Sequence, residues 1–238
     1  MDFTGRTAQQ SRSASYDQGL RSYMIGVFNN MFIALLITGI MAFVTISTPL
    51  IGLFFSPTGG LSGFGWLAML APLAFVFFFS YKLMTVDTST ARLMLWTYSA
   101  LMGLSLSPIF LVYTAESVTR VFFITASMFA GMSIWGYTTK RDLTGMGSFM
   151  IMGIIGIIIA SLVNMFMQSS AMHFVISFLS VIIFTGLTAY DVQKIARIYH
   201  VAPAGDLRDK AAIQGALSLY LDFINLFLSM LRLFGDRK

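Results

Sequence analysis

The chain has 238 residues, of which 57% are hydrophobic and 11% charged, with a net charge of +5 and a mean hydropathy of +0.79. Soluble domains carry about 25% charged residues, so this composition marks an integral membrane protein. The basic residues sit in short loops at the ends of apolar runs and form no basic and aromatic stripe, which argues against nucleic acid as a partner; the absence of cysteine excludes disulfides, thiolate metal sites and a cysteine nucleophile.

Residues 1–22, MDFTGRTAQQSRSASYDQGLRS, are polar, rich in Ser and Gln, and lack the apolar core of a signal peptide. They are expected to form a disordered or surface tail, with residues 23–238 as one transmembrane domain whose first apolar run is an uncleaved span. Apolar runs fall at about 24–46, 66–84, 93–114, 120–138, 147–168, 173–191 and 211–234, each long enough to cross a hydrocarbon core of about 30 Å. The expected fold is therefore all-α, with seven transmembrane helices. Pro72 and Pro108 lie within the second and third runs, where proline kinks a helix. Gly145, Gly147, Gly153 and Gly156 give the fifth run a small face for close packing against a neighbour.

With a cytoplasmic N-terminus, the inside segments hold Arg6, Arg12, Arg21, Lys82, Arg92, Lys140, Arg141, Lys194, Arg197, Arg208 and Lys210, which are eleven of the fifteen Lys and Arg residues. That bias sets the expected orientation. Arg120 stands alone in the second outer loop, and Arg232, Arg237 and Lys238 lie at the C-terminus, which seven crossings place outside. A full last span is nevertheless expected, because AAIQGALSLYLDFINLFLSMLRLF has no Pro and a single Gly where a re-entrant turn would need a break. The scattered Met residues suggest packing, and His173, His200 and Glu116 fall at loops or membrane edges, where solvation explains them.

Two carboxylates lie within or at the border of apolar runs, Asp191 and Asp222. In the last run Gln214, Ser218, Asp222, Asn225, Ser229 and Arg232 follow at spacings of four, four, three, four and three, so they share one helix face. Lipid offers no hydrogen-bond partner, and that stripe must face the protein interior or a watery cavity. Ser, Asn and Gln suffice to glue helices together, whereas an ionisable aspartate about ten residues into a span points to an ion or proton site. Asp191, in FTGLTAYDVQKIARIYH, is expected near the inner end of the sixth span, with an ion pair to Lys194 as its bland explanation and Thr188 on its face. Pro203 and Gly205 supply a turn and Asp206 a cap, making the last two spans adjacent and antiparallel. The depths of Asp191 and Asp222 do not obviously match in the sequence.

The segments FTGLTAYDVQKI and ALSLYLDFINLFLSMLRLFG resemble the closing signature of the Bax inhibitor-1 family, also called the transmembrane Bax inhibitor motif family, and especially its bacterial, YccA-like members. The third run, SALMGLSLSPIF, and the short basic loops are similar to the same family. The resemblance implies seven transmembrane helices with the C-terminal helix central, in a bacterial inner membrane. It also implies a pH-sensitive calcium leak governed by two proton-sharing aspartates, matching Asp191 and Asp222. Relatives carry acidic and arginine partners in the second span, where WLAMLAPLAFVFFFSYKLM offers only Lys82.

Two carboxyls in a poorly solvated site titrate as a unit, and one shared proton bridges them. Without it, two negative charges repel but bind a hard divalent cation through oxygen, weakly, with Ser218 and Asn225 alongside. Calcium is then the transported ligand; no cofactor is expected, and a monomer or weak oligomer suffices. The alternative is a regulatory protein that modulates a membrane protease or a stress or cell-death response, with the polar tail as its handle. An enzyme is not expected: Asp222 follows LYL, whereas intramembrane aspartyl proteases carry Gly-x-Gly-Asp at their second aspartate.

Overall fold

The computed structural model describes residues 18–56 and 60–238. Helix α1 (Gln18–Ser47) leads through a short 3-10 turn, Pro49–Phe54, into α2 (Gly63–Lys82). There follow α3 (Thr88–Leu106), the one-turn α4 (Ile109–Val112), α5 (Ala115–Thr138), α6 (Thr144–Met167), α7 (Ser170–Val201) and α8 (Asp206–Phe234). Among the described residues seven segments are long and apolar enough to cross a membrane, α3 and α4 together making the third. Residues 1–17 of the expected polar tail lie outside the described residues; residues 18–22 are helical and continuous with the first span.

Pro108 breaks the third span where the sequence predicts a kink. It has no N–H to donate, and the chain tightens there into a turn in which the Ser107 N–H reaches the Leu104 carbonyl at 3.3 Å, so α3 stops at Leu106 and α4 restarts at Ile109. Pro72, by contrast, stays within α2. The sixth span ends at Val201, ten residues past its expected end, because hydropathy senses the membrane boundary while the helix continues into the polar layer. Asp206 is the first residue of α8, not its cap. Gly205 precedes it at φ +97°, a left-handed conformation that glycine adopts without strain, and Asp206 instead accepts from the Thr88 hydroxyl at 2.5 Å and pairs with Lys210 at 2.6 Å.

Helix α8 occupies the centre. Most of its span is buried, and it packs against α1, α3, α5 and α7. Helix α6, the most apolar span, is almost wholly exposed. This gradient is what lipid dictates, since hydrocarbon faces can remain outside while polar groups need partners inside. Tyr220, off the stripe in the apolar part of α8, shares a hydrogen bond of 2.7 Å with the Thr38 hydroxyl, which also lies 2.9 Å from the Ser99 carbonyl. That cluster joins α1, α3 and α8. Phe223, one turn on, packs toward α5, with Phe122 and Phe129 at centroid distances of 5.6 and 5.5 Å.

The last helix runs unbroken from Asp206 to Phe234, long enough for a full crossing. Its C-terminal tail pairs with the turn between α4 and α5: the Thr114 N–H donates to the Asp236 carbonyl at 3.1 Å, and Asp236 pairs with Arg120 at 2.8 Å. Arg120, expected in the second outer loop, lies in the second turn of α5 and is paired there by an acid from the far end of the chain.

Close helix approach is carried by fewer glycines than the fifth span suggests. Gly147 faces the Tyr190 ring and Gly153 the Ile183 side chain, but Gly145 and Gly156 face open space. The tighter contact is Gly136 of α5 on the backbone of α7, where a Cβ would overlap the Ala189 carbonyl. Gly136→Ala is expected to destabilise the protein by about 1–3 kcal/mol through overpacking, whereas Gly156→Ala should leave the melting temperature unchanged. Thermal unfolding of the purified variants checks this; equal melting of the two would mean that α5 and α7 do not pack here.

Candidate ion site between the carboxylates of α7 and α8

Sequence places Asp191 and Asp222 at different depths, and the fold brings them together by three effects. First, α7 continues ten residues beyond Asp191, so the carboxyl sits inside the bundle and away from the helix end; the unfavourable macrodipole interaction expected there is largely removed, because that field fades within the last turn. Second, Gly215 packs on Ile195, a Cβ there lying 3.0 Å from that side chain, which fixes the register of the antiparallel pair. From that level Asp191 is one turn, about 6 Å, along α7 and Asp222 two turns, about 10 Å, along α8. Third, side chains lean toward their own helix N-terminus. In antiparallel helices Asp191 therefore leans toward the level of Asp222, and Asp222 toward that of Asp191, which closes the remaining gap.

The two carboxyls face the same cavity, close enough for their charges to interact. Asp222 is 6% exposed, and its Oδ2 meets no N–H or O–H donor. Ionised carboxylates only accept, so a hydrogen bond between the two would require a proton on one of them. Lys194, the expected partner of Asp191, is exposed and points its ammonium over the Tyr190 ring, 5.9 Å from the centroid. No ion pair between Asp191 and Lys194 forms among the described residues.

Both carboxyls line a cavity of about 440 Å³ between α6, α7 and α8. Ser218, Asn225, Ser229 and Arg232 line it with them, whereas Gln214, two turns before Asp222, is exposed and lies outside it. The facing surface of α8 is wider than its polar stripe, because Leu221 and Leu228 also reach the cavity. Asn225 donates to the Leu221 carbonyl at 2.8 Å and Ser229 to the Asn225 carbonyl at 2.7 Å. These local bonds use the donors and leave the Asn225 side-chain oxygen uncommitted.

Sequence reasoning missed two walls. Ile154, Ile157 and Ile158 of α6 close one side and carry no polar signal. Ser180 and Phe184 of α7 close another, and here a signal existed: Ser180, Phe184, Thr188 and Asp191 repeat at spacings of four, four and three, so they share a face. Nothing on α2 reaches the cavity, and Lys82 lies over the Tyr81 ring at 6.0 Å. Among the described residues no three His, Cys, Asp or Glu gather, so the pair brings two carboxylates and no more.

A seven-span helical bundle around a buried C-terminal helix, with a carboxyl pair facing an internal cavity, defines a polytopic membrane protein with an intramembrane ionisable site. Its particular family follows from sequence comparison. The model for "Inhibitor of apoptosis-promoting Bax1" matches residues 20–238, and the chain belongs to this Bax inhibitor-1 family. It is 44% identical to an uncharacterized protein of Rickettsia prowazekii over 100% of this chain and 99% of that one. It is 43% identical to the inner membrane protein YbhL of Escherichia coli over 92% of this chain and 94% of YbhL. A protein of Borreliella burgdorferi is 45% identical over 91% of this chain and 92% of its own length.

Proposed function

We propose that the protein is a pH-sensitive calcium leak, gated by the proton shared between Asp191 and Asp222. The observation that carries this reading is the meeting of two carboxyls at the wall of one cavity in the membrane-spanning region, with Asp222 buried and its Oδ2 given no donor. With the proton present, a hydrogen bond between the two ties α7 to α8 and one charge is neutralised. Removal of the proton as pH rises leaves two carboxylates that repel each other and attract a hard cation. Two carboxylates with the oxygens of Ser218 and Asn225 bind calcium weakly, and weak binding suits passage because the ion must also leave. The reaction involves no covalent step, and the protein is proposed to work without catalysis or cofactor. Since the relative YbhL is named an inner membrane protein, a bacterial inner membrane with a cytoplasmic N-terminus is the proposed location, consistent with the Lys and Arg distribution.

Calcium entry into liposomes holding the purified protein, followed across pH, tests the reading. The leak should increase steeply over about one to two pH units, as expected for a coupled pair titrating as one gate. A flat profile between about pH 5 and 8 would exclude a gate made of two coupled carboxyls.

A further inference from the structure

At the membrane face where α1 begins, a second pocket of about 480 Å³ lies between the end of α5, the α5–α6 connection and α7. Four basic side chains line it: Lys140 and Arg141 from the connection, Arg197 and His200 from α7. Among the described residues Asp142 is the sole acid in its wall. Hydrogen bonds from Thr144 and Arg197 hold the Asp142 carboxyl well below the usual carboxylate range, so its charge is spent on Arg197, 2.7 Å away.

Basic residues at one membrane face are expected of any multispanning protein; here their backbone is also fixed. Gln193, 9% exposed, accepts from the Leu143 N–H at 2.9 Å and donates to the Arg141 carbonyl at 2.8 Å, clamping the connection onto α7. Arg197 is oriented by Asp142, by the Thr144 hydroxyl at 3.1 Å and by Gln193 at 2.5 Å. The side chains of Lys140 and Arg141 make no hydrogen bond or ion pair among the described residues, and both line the concavity that this clamp shapes. Tyr137 and Leu20 add the less polar part of its wall.

We propose that this pocket is a binding site for a phosphate group, carried either by an acidic phospholipid headgroup or by a soluble phosphate. Two uncommitted cationic side chains on a backbone held in place around a concave site at the membrane surface suit a phosphate oxyanion, and the tyrosine and leucine beside them suit the glycerol end of a lipid. The site is independent of the leak.

The test uses the full-length chain in detergent, with bound ligand counted by native mass spectrometry during titration with phosphatidylglycerol, phosphatidylcholine or inorganic phosphate. Wild type should prefer phosphatidylglycerol over phosphatidylcholine if the lipid is the source, or bind inorganic phosphate alone if the soluble anion is; either result supports the site. Lys140→Gln with Arg141→Gln should weaken that binding by about five-fold for each charge, about 25-fold for both. Arg92→Gln, on the same face but outside the pocket, should leave it unchanged. Should the double variant melt early, Lys140→Gln alone carries the test with its single loss of about five-fold. The proposal fails if neither anion binds in preference to phosphatidylcholine, or if Arg92→Gln weakens binding as much as the pocket variants, because the charge of the whole face would then be responsible.

Discussion

Replacing Asp222 by asparagine is expected to yield a protein whose calcium permeability stays low and no longer follows pH. The amide has nearly the same shape as the acid and donates a hydrogen bond without needing a titratable proton. An amide at this position would therefore hold the Asp191 carboxylate at every pH, keeping α7 and α8 tied and removing one of two cation-binding charges. Asp191→Asn should behave alike from the other side of the pair. Combining the two should add little to either single change, because groups that act as one gate are coupled and their effects do not sum. Liposome flux measured from acid to alkaline pH on the three variants checks this. Under the bland reading, in which Asp191 serves only the exposed Lys194, Asp191→Asn should shift stability by a few tenths of a kcal/mol and leave flux unchanged. Independent, additive effects of the two changes would mean that the carboxyls do not share a proton.

The contrast between residues that sequence could locate and those it could not has a physical origin. Seven spans are legible because hydrocarbon demands long apolar runs, and the face of α8 is legible because Ser218, Asp222, Asn225 and Ser229 stand out against Leu, Ile and Phe at helical spacing. Asp191 is legible as an oddity, but its meeting with Asp222 depends on how far α7 runs past the apolar layer. No hydropathy pattern measures that, and only the family resemblance points to the pair. Gln193 shows the same limit: in a helix already leaving the membrane, one more polar residue has no contrast, although it fixes the connection that carries Lys140 and Arg141. Ile154, Ile157 and Ile158 look like lipid-facing residues and include a cavity wall, because burial against a polar void and burial against lipid select the same side chains. Pro108 reads as a kink because the sequence shows a helix breaker but not whether the chain resumes its axis.

Cysteines introduced along α8 of this cysteine-free chain are expected to react in a pattern that follows the cavity. Cysteine at Ser218, Asn225 and Ser229, all cavity-lining, should be modified by small charged thiol reagents, which need water to arrive and a thiolate to attack. Cysteine at Leu219, Phe223 and Leu226, buried against neighbouring helices, should be protected. Leu221 and Leu228 separate the structure from the polar stripe alone. They line the cavity although they are apolar, so cysteine at either should react, whereas a water path limited to the stripe would leave both protected. Calcium should slow modification at positions 218 and 225, within one turn of Asp222, more than at 229, two turns away, because the cation and its ligands would stand between reagent and thiol. If reactivity were even around the helix, the cavity would have no privileged access to water, and Asp222 would serve as a protonated hydrogen-bonding group that fastens α8 to α7 without conducting an ion.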